Sequence, residues 1–126
     1  MLNPVTEDLI ARLRAGLPDA TFKEGVAAYL EDPRRRWRGQ AGAVLAPAST
    51  SEVSEILRIA QQARVPVVPY GGGTGLVGGQ IAPDGPAPLI LSLERMRALR
   101  GIWPEENVVE VEAGMILSDL HAAAQA

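Results

Sequence analysis

The chain has 126 residues, 47% of them apolar, which suits one globular unit with a buried core and excludes a disordered tail. Its formal charge is −3 and Lys23 is its single lysine, so there is no broad basic footprint for nucleic acid. The absence of cysteine removes disulfide frameworks, thiolate nucleophiles and cysteine-bound metals together.

The first residues carry acids instead of an apolar leader, and no stretch approaches the roughly 20 apolar residues that cross a bilayer. A soluble, cytoplasmic protein is expected. Asn3-Pro4, or Thr6 followed by Glu7 and Asp8, can cap a first helix whose apolar positions Leu9, Ile10, Leu13 and Leu17 keep helical spacing, with Pro18 closing it. Residues 22–30 read as a second helical stretch. Residues 31–38, with Pro33 and Arg34, Arg35, Arg36 and Arg38 around Trp37, read as an irregular loop. Guanidinium groups bind phosphate and carboxylate, but a solvated charged loop is the simpler reading, and no single arginine is assigned a role.

A short apolar run at residues 43–46, stopped by Pro47, fits a buried strand. Ser49 and Glu52 have capping-box spacing, and Val53, Ile56, Leu57 and Ala60 form the apolar face of the helix that follows. Residues 65–69 are β-branched between two prolines and predict a short strand running directly into Tyr70 and a glycine loop. Such a strand–helix–strand unit brings its strand ends to one sheet edge, where α/β proteins bind ligands. Residues 89–93 read as another strand. Val109, Val111 and Ala113 alternate with Glu110 and Glu112 as in a strand with one wet face. Gly114 ends that strand, and a helix carrying Ser118 as its cap follows, without a stop signal before the chain ends. The rest of a larger protein is therefore expected to be missing.

Residues 71–79 hold six glycines in nine positions. Glycine permits positive φ and close approach of main chain to a ligand, so successive N–H groups can converge on anionic oxygens. No Lys or Arg lies between Tyr70 and Pro88, which leaves backbone amides and the Thr74 hydroxyl as donors. A flexible hairpin or packing loop is the plain alternative. A P-loop fails because Gly79 stands where its lysine belongs. Gly73-x-Gly75-x-x-Gly78 does match the dinucleotide-binding fingerprint, with Glu94 beyond the next strand. That fingerprint needs a helix after the glycines, and Pro83, Pro86 and Pro88 forbid one at about 3 kcal/mol per interior proline.

Pro69 to Gly79, then Leu91-Ser-Leu-Glu-Arg-Met96, then Asn107 with Val111-Glu-Ala-Gly114 and a helix near Leu117, resembles the N-terminal part of FAD-linked oxidases of the vanillyl-alcohol oxidase and cresol methylhydroxylase type. Within that family the chain is most similar to the D-2-hydroxyacid branch, which includes D-lactate and D-2-hydroxyglutarate dehydrogenases and the glycolate oxidase flavoprotein subunit. The resemblance covers roughly residues 29–126.

It implies an α+β, α/β-like fold, a small and mainly parallel sheet flanked by helices, forming the first subdomain of a two-part FAD-binding domain. Residues 1–38 would be a helical lead-in and residues 39–126 the FAD-binding part. Carried over, the cofactor contacts are Pro69, Tyr70, Gly71, Gly72, Gly73, Thr74, Gly75, Leu76, Gly78 and Gly79. Tyr70 stands where many relatives tether flavin through histidine, which implies noncovalent FAD. The implied reaction is hydride transfer from a small D-2-hydroxy acid to the flavin. The substrate residues would lie in absent domains, leaving this segment alone inactive and weak at holding FAD.

No catalytic residue or metal site is expected in the segment itself. His121, the only histidine, lacks a partner at a telling spacing and is read as structural. Ser92, Glu94 and Arg95 could reach a ligand, with Glu94 and Arg95 read as surface residues; Trp103 is read as packing. A nicotinamide-dependent Rossmann dehydrogenase and a noncatalytic nucleotide- or anion-binding module are the alternatives. A homo-oligomer is left open.

Overall fold

The computed structural model describes residues 1–126. Helix α1 spans Glu7–Gly16, and its first turn is closed by the Thr6 hydroxyl, which accepts from Leu9 N at 3.2 Å. Leu9, Leu13 and Leu17 are buried along one stripe, while Ile10 is half-buried. Residues 22–30 do not make an α-helix. Only a short 3-10 turn, Val26–Tyr29, falls in that stretch, another (Asp19–Thr21) precedes it, and Gly25 between the two adopts φ 70°. A left-handed residue there breaks the run of helical dihedrals.

Strand β1 (Ala43–Leu45) leads into α2 (Thr50–Ala63). The Ser49 hydroxyl accepts from Glu52 N at 3.2 Å, as the capping box predicts, but the Glu52 carboxylate reaches back to Ala48 N and not to Ser49 N. Ile56, Ile59 and Ala60 are buried and Val53 packs against them; Leu57, expected on this face, is 46% exposed. Arg64 ends the helix in the left-handed region at φ 57°.

Strands β2 (Val67–Tyr70) and β3 (Leu89–Ser92) complete a three-stranded parallel sheet in the order β1-β3-β2. The central β3 is buried at every position, as a strand with neighbours on both sides requires. Its Leu89 and Leu91 join Leu45, Ile56 and the α1 leucines in one core cluster, so α1 belongs to the same core as the sheet.

A second sheet is an antiparallel pair, β4 (Leu99–Trp103) with β5 (Val108–Val111), of which the sequence pattern predicts only β5. β5 shows the expected alternation at Val109, Glu110 and Val111, but it ends at Val111 instead of at Gly114, and beyond it Glu112 is half-buried and Ala113 exposed. Trp103, expected to pack, ends β4 and is 42% exposed. Asn107 at φ 54° turns one strand into the other. Helix α3 (Leu117–Gln125) is preceded by Ile116, which supplies no side-chain cap; Ser118 lies inside the helix and does not cap it. His121 is exposed on α3. No helix is long and apolar enough to cross a membrane. The mainly parallel sheet flanked by helices is the expected fold class.

Candidate functional site

Parallel pairing sets Tyr70 of β2 beside Ser92 of β3, so the carboxyl ends of both strands share one edge. Leu93 N fastens that edge by donating to Tyr70 O at 3.0 Å. An open cleft of about 750 Å³ lies here. It is lined by Tyr70, Gly71, Gly72 and Thr74 from the loop after β2, by residues 113–118 leading into α3, and by Tyr29, Ser92, Glu94 and Arg97. No helix follows the glycines, and residues 80–88 are irregular. Pro83, Pro86 and Pro88 thus exclude the crossover helix that a Rossmann fingerprint requires.

The glycines of the loop do different work. None of the N–H groups of residues 71–79 donates to a protein acceptor, so the loop presents a run of free main-chain donors. An added Cβ at Gly71 would meet nothing within 4 Å, and at Gly72 only the Thr74 side chain at 3.9 Å; neither residue has positive φ. Neither packing nor backbone conformation requires glycine at these two positions. Both line the cleft, where a bare backbone serves a close-approaching ligand.

Gly73 and Gly78, by contrast, have φ of 71° and 75°, and a Cβ there would run into the Tyr70 hydroxyl and the Trp37 ring respectively. Gly75 faces the Gln80 amide, which donates to Gly75 O at 3.0 Å and to Gly73 O at 3.4 Å, bracing the turn. Gly79 is open but does not line the cleft; nor do Pro69, Gly73, Gly75, Leu76 or Gly78.

A polar cluster borders the cleft. Glu94 Oε1 accepts from Tyr29 Oη at 2.5 Å and from Ser92 Oγ at 2.8 Å, and Lys23 Nζ lies 3.5 Å from Oε2. Burial pushes Glu94 up, but the two hydrogen bonds and the Lys23 charge outweigh it and hold the carboxyl below its ordinary value. Tyr29 is pushed up to about 12, first by burial and then by the Glu94 hydrogen bond, so its phenol stays a donor at neutral pH. Its ring meets Tyr70 edge-on, with centroids 5.0 Å apart. The chain of contacts Lys23–Glu94–Tyr29–Tyr70 thus fixes the side chain that opens the glycine loop.

Ser92 and Glu94 therefore reach the cleft, whereas Arg95 turns away and donates to Ala46 O at 2.9 Å. Glu94 is more than the surface residue the sequence suggested. The arginine loop packs near the far end of the glycine loop through Trp37 on Gly78, and none of its arginines lines the cleft. That loop is stapled by buried Asp32, whose carboxylate accepts from the N–H groups of Trp37, Arg36 and Arg34 and is held below its ordinary value by them, Trp37 foremost. Tyr29, Arg97 and residues 113–118 are cleft residues that sequence reasoning did not assign. Arg97 follows the carboxyl end of β3, a usable signal; Tyr29 reaches Glu94 across 65 positions, for which no local pattern exists.

A sequence model of the FAD binding domain family matches residues 41–126. The chain is 36% identical over 124 residues to a D-2-hydroxyglutarate dehydrogenase of Xanthomonas citri pv. viticola, a match covering 96% of the chain and 26% of the relative. It is 35% identical over 101 residues to the glycolate oxidase subunit GlcD of Bacillus subtilis, covering 80% of the chain and 21% of the relative. The chain thus spans about a quarter of the length of these relatives.

Among solved structures, alkyldihydroxyacetonephosphate synthase superposes with TM-score 0.82 at 17% identity, over 98% of the chain and 25% of that protein. A 4-ethylphenol oxidase from Gulosibacter chungangensis superposes with TM-score 0.79 at 24% identity, over 99% of the chain and 26% of that protein. Both likenesses establish the fold.

Proposed function

We propose that the chain, which belongs to the FAD binding domain family, holds the diphosphate and adjoining sugar region of FAD in the cleft between the glycine loop and the start of α3. FAD as the cofactor follows from that membership; its placement is our reading. One observation carries it: the N–H groups of residues 71–75 are free of protein partners, and Gly71 and Gly72 offer open backbone to the cleft. Free donors without side chains suit anionic oxygens.

Within the loop, Tyr70, Gly71, Gly72 and Thr74 make the direct contacts. Pro69, Gly73, Gly75, Leu76, Gly78 and Gly79 act through the loop's shape, by positive φ at two of them and the Gln80 brace at a third. Residues 39–126 form the cofactor-binding part, with residues 1–38 as a lead-in that adds α1 to the core. Tyr70 offers no imidazole to the flavin, and the cofactor is noncovalent.

The whole protein oxidises a small D-2-hydroxy acid, the substrate class named in the relatives, and operates in the cytoplasm. When bound, FAD supplies the two-electron acceptor for that oxidation. This chain's contribution is binding and orientation, with Glu94 and Tyr29 setting Tyr70 in place.

The test is to purify the natural polypeptide that carries this chain and record its flavin absorbance before and after acid precipitation. The expected result is flavin released into the supernatant, with bleaching of the native protein by D-2-hydroxy acids but not by their L-enantiomers. A protein that takes up no flavin while binding NAD(H) in calorimetry would overturn the proposal.

A further inference from the structure

Most arginines near the sheet edge are committed to protein partners. Arg95 donates to Ala46 O, and Arg100 pairs with Glu112 at 3.1 Å. Arg97 is not: it is exposed, lines the cleft, and makes neither a side-chain hydrogen bond nor an ion pair. The only carboxylate side chain lining the same cleft is that of Glu94. That carboxylate is already engaged by Tyr29, Ser92 and Lys23. A guanidinium is thereby left without a counter-ion in a cleft whose other positively polarised groups are main-chain N–H donors. The loop from Tyr70 to Pro88 contributes no cation of its own.

We infer that Arg97 is a direct partner of the cofactor's diphosphate, supplying the one full positive charge that the glycine loop lacks. The inference rests on placing FAD in this cleft. Guanidinium presents a planar fork that matches two phosphate oxygens at once, and charge-assisted bonds of this kind are about twice as strong as neutral ones. Main-chain donors would fix the position of the diphosphate, and Arg97 would neutralise it. The dinucleotide should therefore be distinguished from riboflavin, which has the same ring and no phosphate, more by this residue than by any other side chain of the cleft.

The experiment titrates the apo form of the natural polypeptide with FAD, ADP and riboflavin by calorimetry, comparing wild type with Arg97→Ala, Arg97→Lys and Gly71→Ala. Because Arg97 is exposed and makes no hydrogen bond or ion pair, thermal melts of its variants should match wild type. Arg97→Ala should weaken FAD and ADP about tenfold or more, in line with loss of a hydrogen-bonded charge, and leave riboflavin unchanged. Its FAD affinity should also vary less with salt, and Arg97→Lys should recover part of the loss. FAD affinity within about twofold of wild type in Arg97→Ala, or an equal loss for riboflavin, overturns the inference while sensitivity of Gly71→Ala preserves the cleft as the cofactor site. Wild type that binds neither FAD nor ADP overturns both.

Discussion

Replacing Gly71 with alanine separates a glycine kept for a ligand from glycines kept for the fold. The new methyl meets no protein atom within 4 Å, and the residue is outside the left-handed region. The folded chain should tolerate it and gain about 0.4–1 kcal/mol from the less flexible unfolded state. A methyl at a cleft-lining position would hold FAD off the neighbouring free amides. A hydrogen bond to a charged group is worth about 1.5–3 kcal/mol, so affinity should fall roughly 10- to 150-fold.

Gly73→Ala should behave in the opposite sense. At φ 71° alanine costs about 1–2 kcal/mol, and its Cβ must also displace the Tyr70 hydroxyl, so the variant should melt several degrees lower. Thermal denaturation of the apo proteins, paired with fluorescence titration of FAD, reads both quantities. If Gly71→Ala binds FAD as wild type does, the claim that its open backbone serves the cofactor is wrong, whatever happens at Gly73.

Leu13→Ala removes a fully buried α1 side chain from the shared core and should cost about 2–5 kcal/mol in urea denaturation, with a single transition; a separate early transition for residues 1–38 would show that the lead-in folds apart. The carboxyls of Glu94, Glu112 and Asp32 titrate below their ordinary values of 4.5, 4.5 and 3.8 in the folded chain. Their contribution to stability is whole above those values and is lost as pH falls through the lower folded-state values, so urea midpoints should decline in acid and the decline should be shallower in Glu94→Gln. A midpoint slope unchanged in that variant would remove Glu94 from the account.

What could be read from the sequence and what could not follow a physical divide between local and distant causes. The glycine loop was legible because strand, glycines and prolines are contiguous: three prolines after Gly79 exclude a helix by local sterics alone. The parallel sheet was legible because β1, β2 and β3 are short apolar runs bounded by proline or glycine. Strand β4 carries no comparable pattern. Leu-Arg-Gly-Ile-Trp is mostly exposed, its partner is β5 alone, and what makes it a strand is the Asn107 turn and cross-strand pairing. On α2, helical spacing allowed either Leu57 or Ile59 to face inward, and only the direction from which α1 and the sheet approach decides for Ile59.

The cleft shows the same divide more sharply. Gly71 and Gly73 are indistinguishable as letters, yet one is free of steric demand and the other is held at positive φ beneath a tyrosine. Which glycine serves the ligand depends on what surrounds each Cα. Glu94 reads as a surface residue beside a turn until Tyr29, Ser92 and Lys23 are folded around it, and nothing in the local sequence singles out Arg97. Glu94, the one carboxylate lining the cleft, is satisfied by residues 23, 29 and 92, which leaves Arg97 as the unpaired charge of the cleft. The role inferred for Arg97 thus depends on a carboxylate that the fold has already occupied.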